Sequence, residues 1–99
     1  MANRARGEVA VCIGDAEAIL CLTLGALAEV QAALEARTLG EIAARLSSAS
    51  PADMLTVLGA LLRGGGQEEL AAQCSVLPVS PHQAARWIAE AFEAALDDD

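Results

Sequence analysis

Cys12, Cys21, Cys74 and His82 are the four residues best suited to metal ligation or nucleophilic chemistry in this chain of 99 residues. Zinc favours thiolate and imidazole ligands, usually brought together as closely spaced C-x-x-C pairs. Here the cysteines are far apart and fall on segments that read as hairpin strands and a loop, so the spacing favours apolar packing for them and a surface position for His82. Nucleophilic catalysis would need a cysteine or serine activated by a base, and His82 is the single histidine. It stands at the second position of an expected helix, where it faces water. The adjacent carboxylates Glu68-Glu69 and Asp97-Asp98 lie in segments that suit solvation better than a general acid and base with separated pKa values. "RGGGQE", residues 63 to 68, has the glycines of a phosphate loop without its lysine, and it follows a helix rather than a strand. The expectation is a protein that is not an enzyme and holds neither metal nor cofactor.

Charge narrows the class further. Six arginines and no lysine against 14 acidic residues give a formal net charge of −8, which disfavours a nucleic-acid surface. Arg4 and Arg6 form a small basic arm, expected to be mobile and solvated or to pair with acid on a partner or on a second copy. No stretch has the length and apolarity of a signal peptide or membrane span, so no membrane role and a cytoplasmic location are expected. Three cysteines with no export signal argue against a disulfide framework.

The elements that would carry an interaction surface can be read from punctuation and period. "GEVAVCIGDAEAILCLTL" alternates, with Val9, Val11 and Ile13 on one face and Ala18, Leu20 and Leu22 able to match them across a turn. A loop at Asp15 and Ala16 would set Val11 opposite Leu20 and Val9 opposite Leu22. Thr23 then caps a helix carrying Leu27, Val30 and Leu34, running to about Ala36. "TLGE" at residues 38 to 41 has the form of a capping box and starts a second helix with Leu39, Ile42, Ala43 and Leu46 on one face. Ser50 and Pro51 start a third helix reaching Arg63, which the following glycines stop, leaving either a flexible linker or a hinge. Residues 67 to 74 form a short helix or turn. Ser80, Pro81 and Gln83 open a last helix, about 81 to 95, with Trp87, Ile88, Ala91, Phe92 and Leu96 as its apolar stripe.

The fold class is therefore α+β: an N-terminal β-hairpin (7–22) followed by four or five short helices (23–96) in one small domain, with a mobile arm at 1–6 and an acidic tail at 97–99. The third helix is the informative one. In "PADMLTVLGALLR", Met54, Val57, Leu58 and Leu61 make one stripe, and Leu55 and Leu62 add a second edge. So apolar a helix either lies at the centre of the core or buries one side inside and the other against a partner or a second copy.

"RARGEV", "LTLGALAE" and "LLRGGG", in this order and followed by a closing "WIAEAF", resemble the gene transfer agent tail protein and phage tail assembly chaperone family of siphophage-like tail modules. The resemblance covers most of the chain. Where the family often has glutamate two positions after "ALAE", Gln31 stands here, and the turn reads "GDAE" where Asp-Gly-Glu is more usual. The resemblance implies a non-enzymatic tail assembly chaperone in the bacterial cytoplasm that coats the apolar helices of a tape-measure protein until tail-tube subunits polymerise around it. An acidic domain with apolar helices to spare is physically suited to that task. The expected protein-binding residues are Met54, Leu58, Leu61 and Leu62, with Trp87 and Phe92 as aromatic anchors. The alternatives are a structural tube or connector subunit retained in the particle and a small helical adaptor unrelated to tails; under any of these readings the chain can also form a homo-oligomer, and the tail-tube subunit is a further partner of the chaperone.

Overall fold

A computed structural model describes residues 7–48 and 50–96. Residues 1–6, with Arg4 and Arg6, and the acidic residues 97–99 lie outside the described residues, as does Ala49. The described residues form an antiparallel hairpin, β1 (Glu8–Ile13) and β2 (Ala16–Cys21), followed by five helices: α1 (Leu24–Leu34), α2 (Leu39–Ser47), α3 (Pro51–Gly64), α4 (Glu68–Ala72) and α5 (Pro81–Leu96). A 3-10 turn at Cys74–Val76 follows α4.

The hairpin has the expected faces but another register. Ile13 pairs with Ala16, so the two loop residues are Gly14 and Asp15, and Val9 lies opposite Leu20 and Val11 opposite Ala18. Gly14 adopts φ +62°, the left-handed value that two-residue hairpin turns require at a central position, and glycine takes it without steric penalty. A loop at Asp15 and Ala16 would have placed that demand on a side-chain-bearing residue. Val9, Val11 and Ile13 still share the buried face with Ala18 and Leu20.

Only Leu22 and Thr23 separate β2 from α1. Thr23 is extended, and its hydroxyl oxygen accepts the Ala26 amide at 3.1 Å, which ends the strand and starts the helix at one residue. Thr38 accepts from the Glu41 amide at 3.1 Å, and the Glu41 carboxylate reaches back to the Arg37 amide, one residue beyond the cap itself. Ser50 accepts from Asp53, with Pro51 in the first turn of α3. At α5 the capping box is complete: Ser80 Oγ accepts the Gln83 amide while Gln83 Oε1 accepts the Ser80 amide.

The centre of the molecule is α3. It packs against α1, β2, α4 and α5, and its residues Val57 to Leu62 are all buried. Leu20 of β2, Val30 of α1, and Val57, Leu58, Leu61 and Leu62 of α3 are the largest fully buried side chains. Of the two readings of this helix, its C-terminal half is the core helix. The charges of α3 lie at its ends, with Asp53 in the first turn and Arg63 in the last, where each suits the helix dipole. Arg63 also forms an ion pair with Glu29 that ties α3 to α1.

Candidate interaction surface

The six apolar residues expected to contact a partner fall into two groups. Leu58, Leu61 and Leu62 are at most 1% exposed and belong to the core. Met54, Trp87 and Phe92 are half-buried: each packs its inner side on the core and leaves the rest open. The helix turns through its environment, so one stripe passes from surface at Met54 to interior at Leu58 and Leu61.

Met54 and Leu58 line a cavity of about 160 Å³ between the N-terminal half of α3, the segment after α4 and the start of α5. Pro51, Leu55, Leu77, Val79, Pro81 and Ala84 complete most of its wall, and no charged residue contributes. Trp87 and Phe92 lie outside it. Sequence reasoning does not single out Leu55, Leu77 and Val79 as wall residues. Leu55 reads only as a second helix edge, and "VLPVSP" has no period that would place Leu77 and Val79 against a helix. The available signal is the concentration of apolar residues around Pro78 in a segment too short to bury them within itself. Leu55 is 40% exposed, and the neighbouring Val76 is 77% exposed.

Cys74 forms the floor of this groove. Its thiol Sγ lies 3.7 Å from the Leu55 carbonyl oxygen, a weak donor contact within reach for sulfur. Burial pushes its pKa up, opposed in part by the positive charge of Arg63. The thiol therefore stays protonated and behaves as a small apolar filler, the opposite of an activated nucleophile. Cys21 is also buried, Cys12 is exposed, and none of the three is in a disulfide with another described residue. No three His, Cys, Asp or Glu residues among those described come together as a metal site, and His82 is exposed. No helix among the described residues is long and apolar enough to cross a membrane.

The described residues thus form a small α+β domain whose groove is lined mainly by apolar side chains and by no charged one, on a strongly acidic chain. Residues 6–98 match the family described as "Phage tail tube protein, GTA-gp10", and the chain belongs to that family. It is a tail-module protein of the phage and gene transfer agent type, which sets aside a helical adaptor unrelated to tails. No curated protein and no solved structure matches it significantly.

Proposed function

We propose that this protein is a non-enzymatic structural subunit of a phage-like tail, assembled in the bacterial cytoplasm and retained in the particle at the tail tube or its connections. The observation that carries this reading is the match of residues 6–98 to a family described by its place in the tail tube. The groove between α3 and α5, with Met54 and Leu55 on its rim, is the surface through which it would hold a neighbouring tail protein.

A second reading is favoured by a different observation. Tube walls are generally built from extensive β-sheet, and the described residues of this chain form one two-stranded sheet. A helix-rich domain with an apolar groove suits transient masking of a tape-measure protein's apolar helices, the work of a tail assembly chaperone. Quantitative mass spectrometry of purified particles separates the two. A tube or connector subunit is present at a fixed ratio to the other tail proteins, whereas a chaperone is absent or far below stoichiometry although abundant in the producing cells.

A further inference from the structure

We infer that β1 is the seam of a symmetric dimer, in which the backbone of Ala10 and Cys12 pairs antiparallel with the same strand of a second copy. The two edges of the hairpin are unlike. On β2 the Ile19 amide donates outward, to Gln67 Oε1 at 3.0 Å. Antiparallel pairs alternate between hydrogen-bonded and non-hydrogen-bonded, so Ala10 opposite Ile19 is a non-hydrogen-bonded pair, as is Cys12 opposite Glu17. The amides and carbonyls of Ala10 and Cys12 therefore point away from β2, to the outer side of β1. None of these four groups finds a partner among the described residues.

Unpaired strand edges are normally guarded by lysine, proline, a bulge or a covering element. β2 has such a cover, because the end of α3 closes on it: Gln67 takes the Ile19 amide, and Gly64 and Gly65 sit directly on the carbonyls of Cys21 and Ile19. Among the described residues, β1 has none of these devices at Ala10 and Cys12. Both residues are exposed, small and uncharged, and the ladder through them is regular.

A second copy fits this edge through a two-fold axis at Val11. Ala10 then faces Cys12 of the other copy and Cys12 faces its Ala10, which gives four backbone hydrogen bonds and leaves none of the four groups unpaired. The result is one four-stranded sheet in the order β2-β1-β1-β2. Its outer edges are the two β2 strands, each closed by its own α3 at Ile19 and Cys21 and guarded at the remaining outward position by the charge of the exposed Glu17. Growth stops at two copies, a closed isologous assembly rather than a fibre. A two-stranded sheet is marginal alone, and doubling it strengthens the layer on which α5 packs. The two copies carry a net charge of −8 each, so salt should strengthen their association by screening repulsion. This pairing is independent of whether the protein remains in the particle.

The test is light scattering on the purified chain across concentration and salt, with Ala10→Pro as the disrupting variant. Proline at this position removes an outward amide and no hydrogen bond of the hairpin. The expected result is a dimer that tightens with salt and weakens roughly tenfold or more in Ala10→Pro, since two symmetric hydrogen bonds are lost, with an unchanged circular dichroism spectrum. Should Ala10→Pro misfold, mild oxidation of the Ala10→Cys variant supplies a second measure. It should give a covalent dimer in which the introduced thiol of one copy is bonded to Cys12 of the other, and adding Cys12→Ser to the same chain should abolish it. A wild-type chain that stays monomeric at all salt concentrations, or a dimer indifferent to both changes in folded protein, overturns the proposal.

Discussion

The Ile19 amide donates to the side-chain oxygen of Gln67 at 3.0 Å, across 48 positions of sequence, and so fixes the turn after α3 to the outer edge of the hairpin. The bond is partly buried. Replacing Gln67 with alanine leaves the amide without its acceptor, at a cost of about 1–3 kcal/mol. Urea unfolding followed by circular dichroism should show the midpoint fall with an unchanged slope. An unaltered midpoint would mean that water replaces the glutamine without loss.

Gly65 and Gly64 act by having no side chain. A Cβ on Gly65 would sit 2.0 Å from the Ile19 carbonyl oxygen, and one on Gly64 would sit 2.1 Å from that of Cys21. Both obstacles are backbone, so the strand or the helix end must move. Gly65→Ala should destabilise by about 3 kcal/mol, near the upper end for overpacking, despite the better helix propensity of alanine. Thermal unfolding of the single variants measures this directly, and Gly59→Ala, whose Cβ meets only the Arg63 side chain at ordinary contact distance, serves as the mild comparison.

The glycine run shows where sequence reading reached its limit. As local chemistry, "RGGGQ" reads as a helix stop, and α3 does end there, with Gly65 as its cap. Its close approach to β2 depends on a contact between residues far apart in sequence, which no local pattern encodes. The caps at Thr23, Thr38, Ser50 and Ser80 were legible for the converse reason, since each is a bond between residues three apart. The hairpin faces followed from alternation, but its register depended on which residue could adopt φ +62°. In the candidate surface, Met54 and Leu58 were visible as a stripe. The switch from exposed to buried along that stripe was not, because it depends on where α1 and α5 cross α3.

Leu61 and Leu55 lie on the same helix in opposite environments, and their substitution separates folding from binding. Leu61→Ala removes a fully buried side chain and should cost about 2–5 kcal/mol. Leu55→Ser, at a rim position 40% exposed, should cost about 1 kcal/mol, well below the cost at Leu61. If the groove is the partner surface, Leu55→Ser together with Met54→Ser weakens capture of co-expressed tail proteins while the fold persists. Equal capture by the folded double variant would remove the groove from the interface.

Cys74 gives the chain a defined alkaline weakness. Its pKa is raised in the folded state by burial, against a smaller lowering by Arg63. In the unfolded chain the thiol ionises near its ordinary value of about 8.5, while in the folded chain it still holds its proton. The unfolded state therefore binds fewer protons in that window, and stability falls as pH rises. This contribution is fully present below the unfolded pKa and is lost as pH rises through the raised folded value. Denaturant midpoints at pH 7 and pH 10 should diverge more for the wild type than for Cys74→Ala, which lacks the ionisation in both states. Thiol labelling at pH 8 should reach the exposed Cys12 at once and Cys74 only as fast as the α3 groove opens. Rapid labelling of Cys74 in the folded protein would show that the groove opens freely enough to admit a reagent, and with it a partner's side chain.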